Sequence, residues 1–144
     1  MARGAEQHIP RVLIVDDEES VRTFVEGALR HAGYEVAAAS NGSEALRMAE
    51  EHGPFDLLLA DIVMDQMRGD ELARQMRRVD PDLKVLYLTG YSDRLFEERK
   101  VLWEKEAFVE KPVTMKGLLE AVSLILFGHT GPRSGSADRR RSKS

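Results

Sequence analysis

The stretch FDLLLAD (residues 55–61) sets three leucines in succession, Leu57, Leu58 and Leu59, between an aromatic and an acid. Strand side chains alternate between faces, so a run this apolar needs both faces of its sheet covered. Parallel sheets with helices on either side meet that condition. Working outward, RVLIV (11–15) is a buried-strand pattern bounded by Pro10 and an acidic cluster. YEVAAA (34–39) is a second strand, weakened by its alanines, and LKVLYLTG (83–90) is a fourth. AFVEKP (107–112) holds a short fifth strand stopped by Pro112.

Helical spacing fills the intervals. Val21, Phe24, Val25, Ala28 and Leu29 trace one helix face, which Gly33 is placed to end. NGSEALRMAEEHG (41–53) is a second helix with Ala45, Leu46 and Ala49 inward and Gly53 near its end. GDELARQMRRV (69–79) is a third, residues 92–102 a shorter fourth, and TMKGLLEAVSLILFG (114–128) closes the chain with a fifth. Five strands alternating with five helices predict an α/β fold built on a doubly wound parallel sheet.

The totals are compatible with one soluble, cytoplasmic domain: 144 residues, 42% hydrophobic and 32% charged. Without cysteine there is neither a disulfide framework nor thiolate chemistry. No apolar run approaches the roughly 18 residues of a membrane span, and the opening MARGAEQHIPR lacks a secretory core. The domain is expected over 11–127, after a ten-residue extension and before a tail at 128–144. Residues 129–144, HTGPRSGSADRRRSKS, hold five Lys/Arg and one Asp, a net of +4; the whole chain is −4, so residues 1–128 carry −8. A body this acidic is a poor unaided binder of nucleic acid. The tail's composition predicts a solvated, disordered end, with contact to an acidic partner as the alternative.

In doubly wound sheets, ligands bind beyond the carboxyl ends of the strands. The first strand ends in Asp16 and Asp17, the third in Asp61 and the fourth in Thr89, while the fifth runs into Lys111. Singly, each has a plainer reading: acids at a helix start, a turn cap, a β-branched strand residue, a surface lysine. Jointly, three carboxylates, a hydroxyl and an ammonium converge on one sheet edge. Carboxylate oxygens are hard ligands that favour Mg²⁺ shared with a phosphate oxygen, and the lysine and threonine suit the remaining phosphoryl oxygens. One carboxylate is a candidate nucleophile, since acids serve so in aspartyl-phosphate chemistry. The strand-end pattern alone does not say which.

From about Arg11 to Phe127 the chain resembles the receiver domain of two-component response regulators. The resemblance rests on VLIVDDEESVR, the NGSEAL turn, DLLLADIVM followed by Gly69, VLYLTGY and FVEKP, all at the family's spacing. It implies a flavodoxin-like (βα)5 receiver fold. It further implies that Asp61 takes a phosphoryl group from a phosphohistidine of a histidine kinase or histidine phosphotransfer protein. Asp17, Asp61 and the Val63 backbone carbonyl would ligate Mg²⁺, with Asp16 acting mainly through water; Glu18 is left to the helix start. Thr89 and Lys111 would hold the phosphoryl oxygens, with the Lys111–Pro112 peptide cis. Thr89 and Phe108 correspond to the switch pair, which would remodel a surface over roughly residues 91–126, including Trp103. The acidic run is then a metal cradle.

Two departures stand out. Met64 is followed by Asp65 where the family often has proline, which predicts a looser loop with Asp65 solvated. The segment SDRLFEERKVLWEKE (92–106) is highly charged, which predicts a short or irregular fourth helix. Val63 and Tyr91 occupy family positions that influence acyl-phosphate hydrolysis, and Val63 offers no side-chain hydrogen bond to water.

The leading expectation is a stand-alone receiver whose output is protein–protein contact, without direct DNA binding or membrane association, and with phosphorylation-dependent homodimerisation as one form of response. A receiver fragment of a hybrid histidine kinase is the nearest alternative, and a phosphorylation-independent interaction module a further one. An Mg²⁺-dependent phosphohydrolase fits less well: it commonly carries Asp-x-Asp, whereas Asp61 is followed by Ile62 and Val63.

Overall fold

A computed structural model describes residues 8–90 and 106–128. The described strands are β1 (Arg11–Val15), β2 (Glu35–Ala39), β3 (Leu57–Asp61), β4 (Lys84–Thr89) and β5 (Glu106–Glu110). The described helices are α1 (Glu19–His31), α2 (Gly42–His52), α3 (Gly69–Val79) and α4 (Met115–Phe127). The helix expected at 92–102, Tyr91 and Trp103 lie outside the described residues. All pairings are parallel, in the order β2-β1-β3-β4-β5. Chain order reverses beside β1, so β1 and β3 diverge toward opposite edges and open a crevice at their carboxyl ends.

The three-leucine run behaves as its composition demands. Every residue of β3 is buried, and the leucines are divided between two cores. Leu58 and Ala60 join Leu13, Val15, Val85 and Tyr87 under α2 and α3. Leu57 and Leu59 join Val12, Ile14, Leu86 and Leu88 under α1 and α4. Fully burying a leucine contributes about 2 kcal/mol, so charging any of these central positions would remove a large share of a typical domain's net stability.

Local chemistry sets the helix limits. Asn41 Oδ1 accepts from Glu44 N at 2.8 Å, while Glu44 Oε1 accepts from Ser40 N, a reciprocal cap that starts α2. Thr114 Oγ1 accepts from Gly117 N to start α4. Gly33, at φ 101°, ends α1: its N–H bonds Arg30 O and that of Tyr34 bonds Leu29 O, satisfying otherwise orphaned carbonyls. The α1 face differs from its expected pattern at one position. Val25, Ala28 and Leu29 are buried, but Phe24 is 41% exposed, because the core stripe is narrower than the run of apolar residues. No helix among the described residues is long and apolar enough to cross a membrane.

Candidate functional site

The β1–α1 turn carries Asp16 and Asp17. Three hydrogen bonds hold it: Asp16 N to Ala39 O at 3.3 Å, Glu18 N to Asp16 Oδ1 at 2.9 Å, and Arg22 Nη1 to Asp16 O at 2.8 Å. Asp61 closes β3, and the chain then bends back so that Gly69 N reaches Ile62 O at 2.9 Å. A side chain at Gly69 would run into the Asp61 backbone carbonyl, so glycine is what lets α3 start so close to the end of β3. Thr89 ends β4 one register position beyond Leu88, the partner of Asp61. Lys111 follows β5, its N–H bonded to Thr89 O at 2.8 Å and its peptide to Pro112 cis.

These elements bring four of the expected side chains together. One carboxylate oxygen from each of Asp16, Asp17 and Asp61 lies within 4.8 Å of the others. Lys111 Nζ stands 3.3 Å from Asp61 Oδ2 and 3.4 Å from Asp16 Oδ2. Asp16 is fully buried, Asp61 and Thr89 nearly so, and Asp17 is exposed. At about 4.8 Å each carboxylate pair repels by about 3 to 4 kcal/mol at an effective dielectric of about 20. One ammonium leaves this charge incompletely compensated.

Titration reflects the imbalance. Burial first, then the Asp16 charge, pushes Asp61 up to about 6, against the pull of Lys111 and of the Val63 N–H. Burial likewise raises Asp16, opposed by the Glu18 N–H and by Lys111. For Lys111 burial favours the neutral amine, but Asp16 and Asp61 outweigh it and raise its pKa. Asp16 Oδ2 is a buried oxygen without a hydrogen-bond partner among the described residues. An unsatisfied buried carboxylate oxygen, next to two more hard oxygen donors, fits a small divalent cation of the Mg²⁺ type.

Val63 is half exposed beside Asp61, and Asp65 is exposed in the same loop. Phe108 pairs in register with Tyr87, which places it on the sheet face of Thr89, two positions along; it is 46% exposed. Sequence reasoning left out two participants. Glu18 occupies the N-cap position of α1 but makes no side-chain cap bond; its Oε1 lies 3.6 Å from Lys111 Nζ, so it belongs to the charge cluster and not only to the helix start. Arg22 was indistinguishable from any polar-face arginine until the fold brought its guanidinium to the Asp16 carbonyl.

Residues 12–123 match the response regulator receiver domain. The chain belongs to that family. The sensor kinase CckA of Brucella abortus is 37% identical to this receiver over 116 residues, covering 80% of the chain but 12% of the kinase. The response regulator receiver protein CpdR of the same organism is 35% identical over 116 residues, covering 81% of the chain and 96% of CpdR. Among solved structures, the receiver is similar to the response regulator TrrA of Thermotoga maritima in complex with Mg²⁺ and BeF. The TM-score is 0.71 at 34% identity, covering 82% of this chain and all of that one.

Proposed function

We propose that this receiver accepts a phosphoryl group on Asp61 from a phosphohistidine of a histidine kinase or phosphotransfer protein. An Asp61 carboxylate oxygen attacks phosphorus, the P–N bond breaks, and the leaving imidazole takes a proton, leaving an acyl phosphate. Asp61 is ionised above pH about 6 and can therefore act as the nucleophile near neutrality. Lys111, already 3.3 Å from Asp61, balances charge on the transferred oxygens, and the Thr89 hydroxyl donates to one of them. Mg²⁺ held by Asp16, Asp17, Asp61 and the Val63 carbonyl would supply the further neutralisation that phosphoryl transfer requires. Arg22 and the Asp16–Glu18 hydrogen bond keep the metal-ligating turn in place without contacting the reacting atoms.

The observation that carries this reading is the buried, under-compensated pair Asp16 and Asp61 beside a partly buried Lys111, with Asp16 Oδ2 lacking a hydrogen-bond partner among the described residues. An interaction module with no phosphoryl chemistry has no use for that destabilising arrangement. In the response, the acyl phosphate adds about two negative charges beside Thr89. The hydroxyl turns toward them, and Phe108 moves into the space it leaves on the same sheet face. The output is a changed protein-binding surface, homodimerisation included, rather than direct DNA contact. Similarity to the receiver part of CckA favours relay service, within a hybrid kinase or beside one, as the second reading.

Intact-protein mass after incubation with acetyl phosphate, with and without Mg²⁺, tests the proposal. One Mg²⁺-dependent phosphoryl adduct is expected on the wild type and none on Asp61→Asn. A folded wild type that gains no adduct would move the assignment to the interaction module.

A further inference from the structure

Glu18 turns to Lys111 although nearer partners are at hand. It stands at the N-cap position of α1, where a side-chain oxygen can take a free amide, yet it makes no cap bond. Arg22, four residues on, is the cation that a helical glutamate commonly meets. Among the described residues no ion pair joins the two, and the Arg22 guanidinium goes to Asp16 O. Glu18 Oε1 lies instead 3.6 Å from Lys111 Nζ. The ammonium therefore faces three carboxylate oxygens: Asp61 Oδ2 at 3.3 Å, Asp16 Oδ2 at 3.4 Å and this one. It has three N–H donors and no more.

The three carboxylates are not held alike. The Asp16 side chain is fully buried and that of Asp61 is 8% exposed, both fixed at strand ends, whereas the Glu18 side chain is 61% exposed. A phosphoryl oxygen that takes its place on the ammonium has to displace one of them. Glu18 can swing into water, while parting Lys111 from Asp16 or Asp61 would strand a buried charge. We propose, on the reading of Asp61 as the phosphoacceptor, that Glu18 is a displaceable counter-ion that guards Lys111 and slows the resting site toward free phosphodonors. A small donor meets both a competitor for the ammonium and a negative charge at the mouth of the site. A docked protein carrying phosphohistidine has binding energy remote from the reacting atoms to offset the displacement, which a small molecule lacks. Glu18 thereby biases acceptance toward protein donors. Exposed ion pairs are weak, which sets the competition at about two- to fivefold.

The test is the initial rate of adduct formation on the full chain with acetyl phosphate in saturating Mg²⁺, followed by intact mass. Glu18→Gln should raise the rate by about two- to fivefold. Glu18→Asp should raise it as well, since the shorter side chain falls back from Lys111 and an aspartate at this position is drawn to the free amides of α1. Glu19→Gln, which removes the same charge from the neighbouring exposed position, should stay near wild type. In ¹⁵N-lysine-labelled protein without donor, the Lys111 ammonium signal should shift in Glu18→Gln and not in Glu19→Gln. A rate unchanged or lowered in Glu18→Gln would overturn the proposal. So would an equal rise in Glu19→Gln or a wild-type rate in Glu18→Asp, either of which makes Glu18 a distant charge and not a competitor. An unmoved Lys111 signal would overturn the contact itself. No adduct on the wild type would remove the phosphoryl-transfer reading and this one together, whereas adducts forming at equal rates in every variant would remove the guard alone.

Discussion

Replacing Asp61 by asparagine should stabilise the metal-free protein while abolishing phosphoryl acceptance. The carboxyl is 6% exposed and titrates at about 6 in place of its ordinary 3.8, burial being the larger cause and Asp16 the next. At about 1.4 kcal/mol per pH unit, that difference disfavours the ionised native state by about 3 kcal/mol relative to the neutral one. Asparagine keeps the shape and removes the charge, but it also forfeits the Lys111 contact of 3.3 Å, so a gain of about 1 to 3 kcal/mol is expected. For a chain of this size that is a rise in Tm of about 3 to 9 °C at pH 7.5 in EDTA. The sign of the pH dependence follows from linkage. The folded-state pKa lies above the unfolded one, so the native state holds the extra proton between them. The wild type therefore loses stability as pH rises from about 4 through 6 and carries the full penalty above it. The gap between variant and wild type should shrink on acidification, and Mg²⁺ should close it from the other side by raising the wild-type Tm alone. Calorimetry across pH 4 to 8, with and without Mg²⁺, measures all three effects. An Asp61→Asn protein that melts at or below the wild type at pH 7.5 in EDTA would refute the reasoning, for it would mean that pairing with Lys111 outweighs burial and repulsion.

Other outcomes follow from single contacts. Arg22→Met removes the 2.8 Å bond to Asp16 O and should weaken Mg²⁺ binding by about threefold or more in calorimetric titration, with Arg22→Lys closer to wild type; tighter binding in both would mean that Arg22 acts only as a repelling charge. Val63 stands half exposed beside Asp61 with no side-chain donor, so Val63→Asn should shorten the acyl-phosphate half-life several-fold, and an unchanged decay followed by intact mass would contradict this. Arg77 Nη1 meets Glu106 Oε2 at 2.7 Å, with Tyr87 OH on the same oxygen at 3.1 Å. Arg77→Met should cost about 3 kcal/mol in denaturant unfolding by leaving Glu106 buried without that cation, and the double variant with Glu106→Gln should recover part of it.

Much of this molecule was legible in its sequence because the relevant physics is local. The leucine run of β3 demanded cover on both faces, Gly33 and Gly53 announced helix ends, and the polar residues fell at strand ends where a doubly wound sheet gathers its site. Asp16, Asp17, Asp61 and Lys111 could be nominated from that rule before any distance was known. Spacing along the chain could not say that Asp16 would be fully buried with one oxygen lacking a hydrogen-bond partner among the described residues, that Glu18 would lean toward Lys111, or that Arg22 would reach the Asp16 carbonyl. It also overstated the buried stripe of α1, since Phe24 has the right period but is left 41% exposed at its edge. Propensity, caps and hydrophobic period act between neighbours and are written residue by residue. Burial, desolvation and charge balance depend on which segments the tertiary fold brings within a few ångströms, and only there do the acidic residues become a site.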